Sequence, residues 1–231
     1  METITLDTSN ATSMPVHAAR PKGKATKGII VVQEAFGVND YIKRIAGRFA
    51  KQGFLAVAPE LFHRSAPAGF EGSYTDYQGI MPHMQALTDE GILADITAAY
   101  EWLAAEGVSK DRIAVIGFCM GGRASFLANA SLPVAAAVSF YGGGIAQTLL
   151  PRAKNLHAPQ LLMWGGKDTH ILPEHVRAVS DALTAAGKPF VEATFSEAGH
   201  GFACDARDAY HKPSADLAWV LADAFIAERL P

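Results

Sequence analysis

The sequence contains a cysteine, Cys119, whose surroundings suit a nucleophile. It stands in the motif G-F-C-M-G, directly after the run I-A-V-I, so the pattern predicts a strand, a tight turn and a helix. A Cβ at either glycine would collide with the neighbouring strand or helix, and the turn should expose the cysteine at the carboxyl edge of a sheet. The N–H groups and positive dipole end of the next helix would favour its thiolate. A buried, inert cysteine is the alternative, which the flanking glycines disfavour.

An aspartate and a histidine hold the same position after two later strands. Asp168 ends the segment W-G-G-K-D, and His200 lies in A-G-H-G-F. The imidazole could take the proton of a nucleophile and later give it to a leaving group, while the carboxylate would fix the tautomer of the ring and stabilise its charged form. Alone, each residue has a structural explanation, as a turn aspartate or a structural histidine. Together with Cys119 they predict nucleophilic catalysis.

The elements that must position these residues alternate along the chain. Residues 4–6 and 14–16 predict an N-terminal antiparallel hairpin, and the stretch 59–82 reads as an irregular excursion without a clear period. Repeating strands and helices imply right-handed crossovers, so we expect an α/β fold, a three-layer sandwich with a mostly parallel central sheet, in a single domain over residues 1–231. The strands are expected at 28–34, 54–58, 113–118, 133–140, 159–164 and 190–196, and the helices at 40–52, 93–106, 173–186 and near the C-terminus, where Leu217, Val220, Leu221 and Phe225 should face inward.

Composition excludes several classes of function. The chain has 231 residues, 49% of them hydrophobic, and a net charge of −3 with both signs mixed, which leaves no basic face for nucleic acid. It shows neither a basic, apolar leader nor an apolar run of about 20 residues that could span a bilayer. A cysteine nucleophile needs a free thiol, so we expect a cytoplasmic protein. We expect no cofactor, and a monomer or a small homo-oligomer.

At these residues the chain resembles the dienelactone hydrolase (carboxymethylenebutenolidase) family of α/β-hydrolases. The likeness covers nearly the whole chain and rests on five segments, which are the G-F-C-M-G-G turn, the strand end Q-E-A-F-G at 33–37, the strand end F-Y-G at 140–142, the G-x-x-D turn and the G-H-G-F loop. In α/β-hydrolases the chain order is nucleophile, acid and histidine, as it is for Cys119, Asp168 and His200.

The resemblance also implies roles for neighbouring residues. Glu34 matches the glutamate that contacts the resting cysteine, turned away from the imidazole, and accepts its proton when substrate enters. A carboxylate that ends a buried strand also needs a partner or a function. The backbone N–H groups of Met120 and Ala35 would form the oxyanion hole. Phe36 and Tyr141, at the two matching strand ends, are expected to contact substrate.

The sequence departs from the founding members where the substrate is selected. Those members hold the carboxylate of the dienelactone with two arginines, one in the excursion and one four residues after the histidine. Cys204 takes the second position here, and no arginine lies between Arg64 and Arg112. Arg64 or Arg207 could bind an anion by a bidentate contact, although both are solvent-facing by default. Dienelactone itself is therefore not the expected substrate.

The leading hypothesis is hydrolysis of a small carboxylic ester or lactone through an acyl-cysteine intermediate. A thioesterase on the same triad is an alternative, and so is a ligand-binding or sensor protein without catalysis on a hydrolase scaffold. Metal-dependent hydrolysis is disfavoured. Two histidines five residues apart do not align on a helix, Pro173 interrupts their segment, and no H-E-x-x-H motif occurs; the candidate ligands would be Asp168, His170, His175, His63 and His83.

Overall fold

Residues 1–230 are described by a computed structural model. They form two compact units, Met1–Ala114 and the chain from Val115 onward. The expected single domain over 1–231 includes Pro231, which lies outside the described residues, and it stays a prediction.

The first unit has four strands in the order β1-β2-β4-β3. They are β1 (Glu2–Asp7), β2 (Ser13–Ala19), β3 (Lys27–Val32) and β4 (Phe54–Pro59). β1 and β2 form the predicted antiparallel hairpin, in which Ile4 lies opposite Val16 and Leu6 opposite Met14. β2 pairs antiparallel with β4, and β3 pairs parallel with β4. Every residue of β4 is buried, as a strand covered on both faces requires.

Three helices belong to the first unit. They are α1 (Asp40–Lys51), α2 (Tyr77–Gln85) and α3 (Asp89–Ala105). Asn39 caps α1 and accepts a hydrogen bond from the N–H of Ile42 at 3.3 Å. α2 was not predicted, since the stretch 59–82 lacks an apolar period. Ile80 is the buried residue of α2, and Pro82 lies inside it, so neither periodicity nor propensity indicates a helix.

The second unit carries four strands in the order β5-β6-β7-β8. They are β5 (Ile113–Phe118), β6 (Ala136–Phe140), β7 (Gln160–Gly165) and β8 (Phe190–Phe195). β6 pairs parallel with β7, and β7 pairs parallel with β8. β5, β6 and β7 are buried throughout. Because the carboxyl ends of parallel strands share one edge, the loops after β6, β7 and β8 can meet there.

The helices of the second unit are α4 (Met120–Asn129), α5 (Ile145–Thr148), α6 (Pro173–Ala185) and α7 (Lys212–Arg229). One expectation for α7 is wrong. Leu217 and Val220 were expected to face inward, but they are 60% and 65% exposed. The face that is buried carries mainly small residues, among them Ala215, Ala218 and Ala222, which let the helix backbone approach its neighbours closely.

Candidate active site

Cys119 occupies the turn between β5 and α4. Its φ is 55° and its ψ is −118°, in a region that residues with a Cβ rarely adopt. Its N–H donates to the carbonyl of Phe140 at 3.0 Å, while its own carbonyl accepts from the N–H groups of Gly122 and Arg123 at 2.9 and 3.2 Å. These bonds fix the turn to the end of β6 and to the first turn of α4. The thiol is partly exposed, as the G-x-C-x-G pattern predicts.

Tyr141 is a second strained residue, placed directly after β6. Among residues 1–230, non-glycine residues with positive φ are Ala11, Cys119 and Tyr141, so two of them lie at adjacent strand ends of the second unit. The N–H of Tyr141 donates to the carbonyl of Met163 at 2.7 Å, which holds the chain in this conformation. Strain of this kind is retained where the surrounding structure enforces it, and it concentrates at functional sites.

A chain of short contacts joins the three residues that the sequence singled out. The Nε2 atom of His200 lies 3.0 Å from the Sγ atom of Cys119. The Nδ1 atom of the same ring lies 2.7 Å from Oδ2 of Asp168. The contact with the carboxylate at Nδ1 orients the ring so that Nε2 faces the sulfur. The resting thiol was expected to turn away from the imidazole; in this structure it faces the imidazole instead, which places the thiol beside a ring that can carry positive charge.

The carboxylate of Asp168 is fixed at both oxygens. Its Oδ1 accepts from the N–H groups of His170 and Ile171 at 2.8 and 3.0 Å, and Oδ2 serves His200. The side chain has no solvent exposure. Burial would raise the pKa of this carboxyl, but the hydrogen bond and charge of His200 and the two N–H donors outweigh it and lower that pKa. Asp168 is therefore ionised wherever the protein is folded near neutral pH.

His200 keeps its proton over a wide pH range. Burial disfavours its charge, but the neighbouring Cys119 sulfur and the Asp168 carboxylate together raise its pKa to about 10. Such a ring is an imidazolium at neutral pH and stabilises a thiolate beside it. Cys119 also occupies the N-cap position of α4, where the helix dipole favours negative charge. The arrangement can thus supply a sulfur nucleophile and a proton donor.

Aromatic rings enclose the His200 imidazole. The ring of Tyr141 contacts it edge-to-face, with 5.2 Å between the centroids, and the ring of His170 does so at 5.3 Å. Tyr141 is fully buried and also packs on Phe202 at 5.3 Å. In this structure, therefore, the buried ring of Tyr141 packs against His200. The expected contact of Tyr141 with substrate stays a prediction. The sequence did not indicate that His170 contacts His200.

Met120 follows Cys119 in the sequence, and Arg207 lies against Gly201, the residue after His200. Met120 is the first residue of α4, and N–H groups in a first turn have no partner inside their helix. The guanidinium of Arg207 lies against Gly201, so closely that a Cβ there would overlap it, and the φ of Gly201 is +83°. Only glycine combines that φ with that contact. Arg207 therefore lies against the residue that follows His200, and its role in binding an anion stays a prediction.

The remaining candidate residues lie in the first unit. Glu34 and Ala35 are 1% and 7% exposed and directly follow Gln33, whose side chain accepts from the N–H of Leu61 at 3.0 Å and donates to the carbonyl of Glu34 at 3.2 Å. The ring of Phe36 is buried and contacts aromatic rings of the 59–82 stretch; these are Tyr74, at 4.6 Å, and Tyr77, at 5.9 Å. The roles assigned to Glu34, Ala35 and Phe36 stay predictions.

Arg64 makes a structural ion pair. Its Nη1 and Nη2 atoms lie 2.8 and 2.7 Å from the two carboxylate oxygens of Asp95, and the Asp95 side chain is fully buried. His63 contacts the same carboxylate at 3.1 Å. Two donors of this guanidinium are thus already used in a bidentate pair, which a substrate carboxylate would have to replace.

The residues considered as metal ligands do not converge. His170 contacts His200, while His175 lies 3.3 Å from the Gln147 amide nitrogen. Within residues 1–230, no group of three or more His, Cys, Asp or Glu side chains could hold a metal ion. Cys119 and Cys204 are both free thiols, and Cys204 is buried. No helix in the same range is long and apolar enough to cross a membrane.

Comparisons with known proteins place these observations in a family. Residues 14–230 match the model of the dienelactone hydrolase family. A Salmonella typhimurium protein named "Putative carboxymethylenebutenolidase" is 37% identical over 230 residues, covering 94% of this chain and 83% of that protein. The "Carboxymethylenebutenolidase" of Pseudomonas putida is 30% identical over 194 residues, covering 82% of this chain and 80% of its own length.

A solved structure is similar over nearly the full length. The crystal structure of a "Putative Dienelactone Hydrolase" from Klebsiella pneumoniae has a TM-score of 0.89 and 33% identity, and the match covers 98% of this chain and 97% of that one. Together with the strand directions, this likeness confirms the predicted α/β-hydrolase fold with a mostly parallel sheet and an antiparallel N-terminal hairpin.

Proposed function

This chain belongs to the dienelactone hydrolase family and is a carboxylic ester hydrolase, and from that premise we propose that Cys119 is its nucleophile and that a small ester or lactone is cleaved through an acyl-cysteine intermediate. The observation that carries the proposal is the contact chain from Sγ of Cys119 to His200 and on to Asp168, at 3.0 and 2.7 Å. Although burial opposes its charge, the ring beside the sulfur has its pKa raised to about 10, so it holds a proton at neutral pH and would stabilise a thiolate formed beside it.

In the acylation half-reaction, the Cys119 thiolate attacks the ester carbonyl carbon and forms a C–S bond. The carbonyl oxygen becomes an oxyanion, which the N–H groups of Met120 and Ala35 would stabilise. When this intermediate collapses, the C–O bond to the leaving group breaks, and His200 gives its proton to the departing oxygen. The products of this half are a free alcohol, an acyl-cysteine and a neutral imidazole. For a lactone, the alcohol remains attached to the acyl group.

In the deacylation half-reaction, neutral His200 takes a proton from water, and the resulting hydroxide attacks the thioester carbon. Collapse of the second intermediate breaks the C–S bond, releases the acid and restores the thiolate and the imidazolium. Asp168 stays ionised throughout and stabilises the charged ring. Its buried carboxylate, held by the N–H groups of His170 and Ile171, requires no rearrangement between the two halves.

The substrate preference rests on the charges near His200. We retain Arg207 as the candidate for binding a substrate carboxylate, because it lies against Gly201 beside the histidine. Two nitrogens of Arg64 bind Asp95, so a substrate carboxylate at Arg64 would have to displace that pair. Because a thiol nucleophile must stay reduced, the proposal also places the protein in the cytoplasm.

The direct test is to trap the acyl-enzyme. The wild type mixed with a 4-nitrophenyl ester and quenched in acid should carry one acyl group on Cys119 by peptide mass spectrometry. Cys119→Ala should lose at least about 1,000-fold in kcat/KM, whereas the matched control Cys204→Ala should keep near wild-type turnover. Full turnover by Cys119→Ala would refute the nucleophile assignment.

A double variant tests whether the three residues act as one unit. His200→Ala should lose nearly as much as Cys119→Ala, and the Cys119→Ala/His200→Ala pair should be barely worse than the worse single variant. Losses that multiply would mean that the two side chains act independently. A panel of oxygen esters, lactones and thioesters then separates an esterase from a thioesterase, and no turnover of any of them would favour a binding protein.

A further inference from the structure

The His200 imidazole has two ring neighbours that differ in exposure. Tyr141 is fully buried, with 5.2 Å between the centroids and an interplanar angle of 61°. His170 is exposed at the surface and crosses the His200 ring at 5.3 Å and 80°. Neither ring nitrogen of His200 is needed for these contacts, because Nδ1 faces Asp168 and Nε2 faces Cys119. The rings therefore contact His200 in addition to its polar partners.

The backbone fixes where the His170 side chain begins. Its N–H donates to Oδ1 of Asp168 at 2.8 Å, and the N–H of the next residue, Ile171, donates to the same oxygen at 3.0 Å. Ile171 is buried, which anchors the loop on the protein side. Residue 170 is thus attached by its backbone to the proposed acid and by its side chain to the proposed base.

The imidazole can leave this position by rotating about its Cβ–Cγ bond. Because both nitrogens belong to the rotating ring, that rotation moves them away from Asp168 and Cys119 together, and hydrogen bonds weaken steeply with angle. Edge-to-face ring contacts oppose that rotation, because each has a preferred geometry.

We propose that His170 is a positioning residue, which holds the His200 ring in the plane that directs Nε2 at the Cys119 sulfur. This inference rests on the proposed function and adds a residue to it. The function of His170 is carried by its flat ring and not by its protonation or hydrogen bonding. Tyr141 supports the ring from the buried side, while His170 is the solvent-facing support that can be changed without opening the core.

The test compares three variants that separate ring shape from polarity. His170→Ala removes the ring, His170→Gln keeps a polar side chain without a ring, and His170→Phe keeps a flat ring without nitrogen. His157→Ala, at another exposed histidine, is the matched control. Two readouts are measured for each: kcat and KM with a 4-nitrophenyl ester, and the second-order rate at which iodoacetamide alkylates Cys119, which needs no ester turnover.

We expect His170→Ala and His170→Gln to lower kcat and the alkylation rate by about fivefold, with KM little changed, because one ring contact is lost. His170→Phe should recover both to within about twofold, and His157→Ala should match the wild type. Rescue by Gln but not by Phe, or wild-type values in all three variants, would overturn the proposal. Since alkylation reports Cys119 directly, these outcomes remain distinct from a failure of the acyl-cysteine mechanism, which Cys119→Ala tests.

Discussion

Gly117 lies directly beneath the first turn of α4, where a Cβ on it would come within 3.0 Å of the carbonyl oxygen of Gly121. The two glycines of the G-F-C-M-G motif are therefore in contact with each other, on either side of Cys119. This close approach lets the chain reverse from strand to helix within a few residues. It is the physical reason for the spacing that first identified the site.

The first prediction concerns Gly117→Ala. The added methyl group must push the start of α4 away, so we expect a loss of about 1–3 kcal/mol in the free energy of unfolding and slower alkylation of Cys119 by iodoacetamide. Gly47→Ala is the control, because it lies inside α1 and its Cβ would meet nothing within 4 Å. That change should be neutral or stabilise the protein by up to about 1 kcal/mol. Equal effects at both glycines, measured by urea denaturation, would show that the proposed contact is unimportant.

Ser139 carries the second prediction. Its Oγ atom is buried and has no hydrogen-bond partner among residues 1–230, and a Cβ on either Gly122 or Gly142 would come within 3.0 Å of it. The hydroxyl is therefore enclosed without an acceptor or donor among the protein groups of residues 1–230. Ser139→Ala should raise the free energy of unfolding by about 1 kcal/mol.

A matched serine provides the control for that change. The hydroxyl of Ser125, also buried, lies 2.9 Å from the carbonyl oxygens of Gly122 and Val138 and can donate to either one. Ser125→Ala should therefore lower the free energy of unfolding by about 1 kcal/mol. Thermal and urea unfolding of both variants measure the difference in sign; a destabilised Ser139→Ala protein would mean that its hydroxyl has a bound partner.

Sequence reasoning located the strand ends because their signals are local. The runs before Cys119 and Asp168 are apolar and end in glycine, and the run before His200 leads into the A-G-H-G-F segment; the structure has β5, β7 and β8 there. The hairpin of β1 and β2 followed from simple alternation. Each of these patterns is local. It reflects the backbone geometry or the burial of a strand, and both depend on residues that are close together in the sequence.

What the sequence could not indicate depends on distant partners. α2 exists although Pro82 lies within it, since Ile80 packs with Phe36 in one apolar cluster. The inward face of α7 was assigned wrongly because this helix carries apolar residues on more than one of its faces. Packing against the rest of the protein decides that Ala218 is buried and Leu217 is not. The contact of His170 with His200 likewise depends on two loops that are 30 residues apart.

The third prediction is the pH dependence of stability. The pKa of His200 is raised to about 10 in the folded protein, against about 6.5 for an unperturbed histidine. The contribution of protonated His200 to the stability of the folded protein is therefore fully present below pH 6.5, and it is lost as the pH rises through 10. We expect the difference in unfolding free energy between wild type and His200→Gln to shrink by up to about 1.4 kcal/mol per pH unit across that window.

Asp168 acts in the opposite direction. Its pKa is lowered in the folded protein, so its contribution is present above the unfolded value of about 3.9 and is lost as the pH falls through the folded value. Asp168→Asn should therefore flatten the acid side of the stability curve, and His200→Gln the alkaline side. Urea denaturation between pH 3 and 10 measures both. A wild-type curve that parallels His200→Gln from pH 6.5 to 10 would contradict the assigned charge on His200.

The last prediction concerns Glu34 and the resting state of the thiol. Glu34 is 1% exposed, and the family resemblance implies that it contacts Cys119 before substrate enters and then accepts its proton. The structure has Sγ facing His200 at 3.0 Å, which is the conformer competent for attack. The role expected for Glu34 belongs to a second conformer, in which the thiol is turned away from the imidazole and which substrate binding would empty in favour of the first.

If that second conformer is the resting one, iodoacetamide should alkylate the free protein slowly at neutral pH, and a lactone-like ligand that does not acylate should speed the reaction at least about tenfold. Glu34→Gln should lower the rate of acylation by esters more than it weakens binding of that ligand, because the proton acceptor is lost while the shape is kept. Glu101→Gln, at the exposed surface, is the control. Peptide mass spectrometry of Cys119 gives the rates. Fast alkylation of the free protein, unchanged in Glu34→Gln, would exclude a gated thiol and leave a permanent ion pair between Cys119 and His200, since the conformer in the structure would then be the resting state.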